Sequence, residues 1–298
     1  DKELIHIPNV SLYFTNGQQN LRNRVSAIVY YDYNDVSADF NGKAFSYDIH
    51  GNVKELVIFN KNYIQKSLCK KIEYDYDLIS GNVNEVRYQP GQPDQIAHRY
   101  YYDADNRITQ VETSIDGGII WETDAEYFYY LHGPLARVEI GDKKIQALDY
   151  AYNIQGWLKS VNSNSLNEKH DLGKDGLTSD NEQGSYETGI PNIHKNIAPD
   201  VMGFSLSYFN GDYAPINTNI AGGSLSTIPE SGAGSSLYNG NIRNMVTSLT
   251  DKTSSTTPNQ KINPQISIYG YDQLQRIKSM YAVQGLDIYA SNEFNANN

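Results

Sequence analysis

The chain has 298 residues and a formal net charge of −11, and with no basic run it lacks the clustered Lys and Arg that nucleic-acid binding needs. Its single cysteine, Cys69, excludes an intramolecular disulfide framework, and no apolar run approaches the roughly 18 residues of a spanning helix. Hydrophobic residues make up 39%, below the roughly 45–50% of an average chain, and the aromatics are lopsided: 25 Tyr against 8 Phe and 2 Trp. Tyr covers a pleated, half-buried surface and needs a polar partner for its hydroxyl, so this usage predicts broad sheets with wet faces.

Residues 1–43 read as lead-in strands, such as Val25 to Tyr33. Residues 44–161 are filled by a repeat. Phe45 and Tyr47 lead through Asp48 and Gly51-Asn52 to Val53 and Leu56. Tyr74 and Tyr76 lead through Asp77 and Gly81-Asn82 to Val83 and Val86. Tyr100 and Tyr102 lead through Asp103 and Asn106-Arg107 to Ile108 and Val111. Tyr127 and Tyr129 lead through His132-Gly133-Pro134 to Leu135 and Val138, and Tyr150 and Tyr152 through Asn153 and Gly156-Trp157 to Leu158 and Val161. A sixth copy runs from Tyr269 and Tyr271 through Asp272 and Gln275-Arg276 to Ile277 and Met280, and a weaker one from Tyr238 through Gly240-Asn241 to Ile242 and Met245. The second aromatic precedes the first apolar residue by six positions in five copies, and by seven in the copy from Tyr76 to Val83.

Aromatics at i and i+2 share one face of a strand. Asp followed by Gly or Asn is turn chemistry: the carboxylate bonds amides ahead of it, and Gly or Asn accepts a positive φ. Each unit therefore predicts a β-hairpin, with a one-turn helix as the competing pattern. The apolar pair is spaced i, i+3, which puts its members on opposite faces of a regular strand. Either one faces outward or a bulge resets the phase.

Residues 162–200 turn polar, with the turn signals Gly173-Lys174-Asp175-Gly176 and Asp180-Asn181, and read as an insertion that lies on or plugs the sheet. Residues 201–298 read as further, degenerate repeats. Strands resume at Met202 to Tyr208, and the tracts Ala221 to Ser236 and Thr250 to Pro264 read as loops.

The motif Tyr-Asp-x-x-Gly-Asn/Arg-Val/Ile resembles the YD repeat of bacterial Rhs proteins, of the B/C subunits of Tc toxin complexes and of animal teneurins. The likeness is close from Phe45 to Val161 and loose from Phe204 to Met280. It implies an all-β fold: a hairpin strip that spirals into a hollow shell, a partial cocoon, with 1–298 as one shell segment. The repeat-defining residues are then Tyr47, Asp48, Gly51, Tyr76, Asp77, Gly81, Tyr102, Asp103, Tyr129, Gly133, Tyr152, Gly156, Tyr271 and Asp272. The family's self-cleavage segment, with aspartate in an Asp-Pro context, has no counterpart, since Pro90, Pro93 and Pro134 follow Gln89, Gln92 and Gly133. The chain reads as a fragment of something longer, beginning at Asp1 without a visible signal peptide.

Sites of chemistry are sparse. His50 and His132 share one turn slot and read as turn residues, and His6, His98, His170 and His194 form no metal-binding spacing. Asp103-Ala104-Asp105-Asn106 opens like a calcium loop, but position twelve is Ser114. Asp175, Asp180 and Glu182 form an acidic insertion able to attract a cation. Lys70-Lys71 beside Cys69 are placed to lower its pKa, against the inert behaviour usual for a lone thiol on a strand. Trp121 and Trp157 offer faces for a sugar ring, against packing on the sheet. No catalytic residue, cofactor or metal is implied. The resemblance implies a non-enzymatic, secreted or bacterial cell-surface protein that encapsulates a C-terminal toxin or effector. Its partners are then other repeats and cargo of the same polypeptide, with secretion machinery or surface glycans beyond. A cell-surface adhesin that recognises glycans or another cell is the alternative, and a polysaccharide-active enzyme a more distant one.

Overall fold

The structure is a computed structural model and describes residues 13–30, 41–60, 69–164, 166, 171–176, 193–214, 234–251, 260–284, 286–287 and 293–294. Among these residues the chain is all-β, without an α-helix. It forms two compact units, Asp1–Ala125 and Glu126–Asn298.

The first unit holds β1 (Ala27–Tyr30), β2 (Asn41–Tyr47), β3 (Val53–Asn60), β4 (Lys70–Tyr76), β5 (Val83–Tyr88), β6 (Ile96–Tyr102) and β7 (Ile108–Ser114). Each pairs antiparallel with its neighbours in sequence. β8 (Glu122–Tyr129) starts at the end of this unit and runs into the next. The second unit holds β9 (Leu135–Ile140), β10 (Gln146–Tyr152), β11 (Leu158–Val161), β12 (Met202–Ser207), β13 (Asn244–Asp251), β14 (Gln260–Lys261), β15 (Gln265–Tyr271) and β16 (Ile277–Gln284). Strand order again follows chain order, except that the short β14 pairs off the end of β13, which leaves β13 beside β15. β17 (Leu286–Asp287) and β18 (Glu293–Phe294) form a separate pair.

One turn closes six hairpins. The residue after the second aromatic donates its amide to the carbonyl four or five residues on: Asp48 to Asn52, Asp77 to Asn82, Asp103 to Arg107, Tyr130 to Pro134, Asn153 to Trp157 and Asp272 to Arg276, all at 2.9 Å. The residue before that acceptor has positive φ, whether it is Gly51, Gly81, Gly133 and Gly156, or Asn106 at 62° and Gln275 at 61°. Asp103 Oδ1 accepts from the amides of Asp105 and Arg107, each at 2.9 Å, and Asp272 Oδ1 from those of Leu274 and Arg276. The Arg276 amide and guanidinium hold the Asp272 carboxyl below its ordinary value. Those of Arg107 do the same for Asp103.

The i, i+3 question is resolved by a bulge. The register shifts at the second aromatic in five hairpins, which sets Tyr47 opposite Val53, Tyr76 opposite Val83, Tyr102 opposite Ile108, Tyr152 opposite Leu158 and Tyr271 opposite Ile277. The first aromatic meets the second apolar residue, as in Phe45 with Leu56 and Tyr100 with Val111. All four residues of a unit thus share one face, because the bulge absorbs the odd residue.

The opposite face differs between the units. In the first it carries a small apolar cluster of Phe14, Ala44, Val57, Phe59 and Cys69. Gly42 lies against it, where a Cβ would collide with the Phe59 ring and the Ile28 carbonyl oxygen. In the second this face is buried and largely polar, with Asp149, Ser160, Asn162, Ser205, Asn244 and Ser248 below a tenth exposed beside the small apolar set Ala147, Ala151, Val246 and Ile266.

Two sequence expectations are corrected by the fold, and of the two readings of Cys69 the inert thiol stands. The copy assigned to Tyr238 belongs to Tyr208: Leu206 pairs with Met245 as a first aromatic pairs with a second apolar residue, whereas Tyr238 is exposed and stacks on Phe209. A long connection splits that hairpin, so adjacency in sequence pointed to the wrong tyrosine. Thr250 and Asp251, expected in a loop, end β13 and pair with β14. The thiol of Cys69 is buried, and desolvation pushes its pKa up, outweighing a hydrogen bond from Tyr13; no lysine lowers it. His6, His170, Asp180, Glu182, residues 31–33 of the lead-in strand and most of the tract 221–236 lie outside the described residues.

Candidate functional site

The side chain that joins one hairpin to the next is the second tyrosine. Tyr47 Oη donates to the Val25 carbonyl at 2.8 Å, Tyr76 to Val53 at 2.9 Å and Tyr102 to Val83 at 2.8 Å. In the second unit Tyr208 donates to Leu158 at 2.8 Å and Tyr271 to Ile242 at 2.9 Å. The acceptor in each repeat junction is the first apolar residue of the preceding hairpin. The geometry is constant: the tyrosine lies one residue beyond the position that antiparallel pairing sets opposite the acceptor. Burial raises the pKa of Tyr76, Tyr102 and Tyr271, so these hydroxyls keep their protons. The carbonyl next to each bulge would otherwise be poorly satisfied, and one such bond contributes on the order of 1 kcal/mol.

Across the other face of the first unit runs an ion-pair ladder. Lys71 Nζ lies 2.8 Å from both Glu55 and Glu73, Arg87 bridges Glu73 and Glu85 at 3.3 and 3.0 Å, and Arg99 reaches Glu85 at 3.3 Å. Arg99 also covers the Trp121 ring, 3.8 Å from its centroid. Glu55 and Glu85 occupy the same slot, between the two apolar residues of their repeats.

In the fourth copy that slot is Arg137, and the reversed sign gathers an acidic cluster. Arg137 is buried, with Nε 3.0 Å from Glu139 Oε1 and its two terminal nitrogens on Asp149 and Asp175. Asp149 is its cross-strand partner on β10, whereas Asp175 comes from the insertion. The insertion backbone lies flat on this pair: a Cβ on Gly173 would collide with Arg137 Nη1 and the Asp149 carboxylate. Asp171 ties the loop by accepting from the amides of Gly173 and Asp175, each at 3.0 Å. His194 and Lys144 flank Glu139 at 3.3 and 2.6 Å. Of the three acidic residues expected to attract a cation, Asp175 alone lies among the described residues, and its partner is the Arg137 guanidinium. Asp175 Oδ2 and Asp200 Oδ2 are buried without a hydrogen-bond partner among the described residues. Desolvation raises Asp149 to about 7 against the pull of Arg137, and Asp175 to about 6. Desolvation followed by repulsion from Asp171, Asp175 and Asp149 raises Asp200 to about 9. A second buried pair lies nearby in sequence: Lys159 Nζ is 2.7 Å from Asp212 Oδ1, and Asp212 Oδ2 accepts from the Tyr208 amide at 2.8 Å.

The remaining candidates are absorbed into turns and packing. The calcium-like loop spends Asp103 on its own backbone and on Arg107, with which it pairs at 2.7 Å. The His132 ring stacks on Tyr130 within its turn. Trp121 Nε1 donates to the Gly118 carbonyl under the Arg99 guanidinium, and Trp157 packs 4.9 Å from the Tyr208 ring. Among the described residues, no group of three or more His, Cys, Asp or Glu is placed to hold a metal ion. Arg137 was not singled out from sequence, although it is the one position where the Glu55 and Glu85 slot changes sign.

No protein-family model and no curated protein matches the chain. Among solved structures, the chain is similar to the TcdB2–TccC3 complex, with 11% identity over 86% of this chain and 11% of that chain at a TM-score of 0.46. It is also similar to the Tc holotoxin pore of Photorhabdus luminescens, with 8% identity over 82% of this chain and 9% of that chain at a TM-score of 0.26. A porin-like protein from Bacteroides uniformis matches over 86% of this chain and 94% of that one, with 8% identity and a TM-score of 0.25. The chain therefore spans about a tenth of the length of the toxin chains. A functional reading of it rests on its own turns and staples.

Proposed function

We propose that this chain is a wall segment of an Rhs-type, YD-repeat shell that encloses a polypeptide cargo, a secreted or cell-surface structural part and not an enzyme. The observation that carries this reading is the tyrosine staple, repeated in one register at junctions of both units. A junction of that kind adds hairpins one after another, and each needs only its neighbour, as in other repeat architectures. Such a sheet extends without a central core to limit its size. Its tyrosine face is half-buried and carries hydroxyls, which suits contact with an incompletely folded chain better than a dry aliphatic surface does.

Electron microscopy of the whole natural polypeptide, paired with its intact mass, tests the proposal. Closed hollow particles containing density, with a released C-terminal fragment, are the expected result. Open sheets with an empty interior and no release would overturn it.

A further inference from the structure

Each staple ends on a carbonyl, and the residue just before that carbonyl differs among the three junctions of the first unit. It is Arg24 before Val25, Asn52 before Val53 and Asn82 before Val83. At the first junction the Arg24 guanidinium lies over the Tyr47 ring, 5.5 Å from its centroid, with Nη1 donating to the Asn20 carbonyl at 2.7 Å. It also lies against the turn residue of positive φ, where a Cβ on Gly51 would collide with Nη2. At the third junction Asn82 Nδ2 donates to Asn106 Oδ1 at 2.9 Å and ties one turn to the next. The second junction has neither contact. Asn52 Nδ2 turns back to Asp48 Oδ2 at 3.0 Å, and a Cβ on Gly81 would meet nothing within 4 Å.

A groove of about 330 Å³ opens at this second junction, between the turns 48–52 and 77–82. Pairing of β3 with β4 stops at Glu55 and Glu73, and beyond it Tyr74 and Tyr76 line the groove with rings stacked 6.3 Å apart. The Phe45–Tyr47 pair beside Arg24 has nearly the same geometry, at 6.4 Å. The turn 77–82 is the one with an extra residue, and its Leu78 and Ile79 also line the groove, 80% and 97% exposed. Three carboxylates, Asp48, Asp75 and Asp77, face one lysine, Lys54, and His50, so the lining is acidic. Asp75 is exposed and makes no hydrogen bond or ion pair among the described residues.

We propose that this groove binds the guanidinium of an arginine presented by a partner polypeptide, placed over the Tyr76 ring as Arg24 is placed over Tyr47. The chain itself supplies the template for the occupant. A planar cation is stabilised by the ring face and by the carboxylates around it, and its apolar stem packs on Leu78 and Ile79. A phosphate or other anion would meet three aspartates instead. The groove involves no cargo, so the inference stands whether or not the chain is a shell wall.

The test is an NMR titration of the 298-residue chain, with isotope-labelled tyrosine rings, by N-acetyl-arginine amide at constant ionic strength. Saturable shifts of the Tyr74 and Tyr76 rings, assigned through their phenylalanine variants, are expected with a dissociation constant of about 1 mM. The uncharged isostere N-acetyl-citrulline amide should bind about tenfold more weakly, and N-acetyl-lysine amide several-fold more weakly. Asp75→Asn, at an exposed side chain without a partner, should weaken binding about threefold with the melting temperature unchanged. Asn52→Arg rebuilds the Arg24 arrangement within the chain, so it should shift the Tyr76 ring without ligand and abolish the titration. Equal binding of the citrulline or lysine amide, shifts confined to other tyrosines, failure to saturate, or undiminished binding by the Asn52→Arg chain would overturn the inference.

Discussion

At the scale of single residues, the two aromatic slots of a repeat have different requirements. The first tolerates Phe45, whereas the second is Tyr in all six clear copies, and at Tyr47, Tyr76, Tyr102 and Tyr271 its hydroxyl reaches the neighbouring carbonyl, which a phenyl ring could not do. Tyr76→Phe is therefore expected to destabilise the first unit by about 1 kcal/mol, read as a lower denaturant midpoint at unchanged slope. The turn slot with positive φ offers a paired prediction. A Cβ on Gly133 would have no atom within 4 Å, so Gly133→Ala meets only backbone strain and should lose about 1–2 kcal/mol. Gln275 already bears that strain at φ 61°, and Gln275→Gly should raise stability by up to about 1 kcal/mol. Thermal melts of both variants check the opposite signs.

At the scale of elements, the insertion is held to β9 and β10 by Arg137, Asp149 and Asp175. Removing the guanidinium leaves buried carboxylates unpaired, so Arg137→Leu should destabilise the second unit by about 3 kcal/mol at alkaline pH. The loss should shrink at pH 5, where Asp149 and Asp175 take up protons. Protease cleavage within residues 162–200, followed by mass spectrometry, reads the loss of docking. The clasp also sets a pH dependence of unusual sign. Asp149, Asp175 and Asp200 titrate at about 7, 6 and 9 when folded, above the roughly 4 of an unfolded aspartate. The folded state then binds more protons than the unfolded state, so stability falls as pH rises from about 4 through 9. Melting temperatures across that range should decline, and Asp200→Asn, which mimics the protonated form, should flatten the upper part of the profile.

At the scale of the whole molecule, the two units draw on different electrostatics and carry one tryptophan each. Trp121 lies in Asp1–Ala125 beneath Arg99, and Trp157 lies in Glu126–Asn298 against Tyr208. Repeat arrays unfold by local cooperative blocks. Single-tryptophan variants, Trp121→Phe and Trp157→Phe, should therefore report two transitions. The one seen by Trp121 should weaken with salt, because the ladder of Lys71, Arg87 and Arg99 is partly exposed and screened. The one seen by Trp157 should move with pH through the buried carboxylates. Coincident transitions under every condition would show that the chain unfolds as one block.

The amino-acid sequence by itself determined the hairpin unit. Alternating aromatics, an Asp turn and a residue able to take positive φ are local requirements, met within about ten residues, and they mark where each strand ends and the next begins. The spacing even carried the bulge as a misfit between i, i+2 and i, i+3. Tertiary structure decided what acts between units. The tyrosine staple joins residues 19 to 50 apart whose relation depends on register. Tyr208 had to be found across a connection of some thirty residues, where no local rule reaches. The Arg137 clasp depends on where a polar insertion settles, and burial then makes ordinary aspartates into groups that titrate near neutrality, because desolvation is a property of the packed environment and not of the residue.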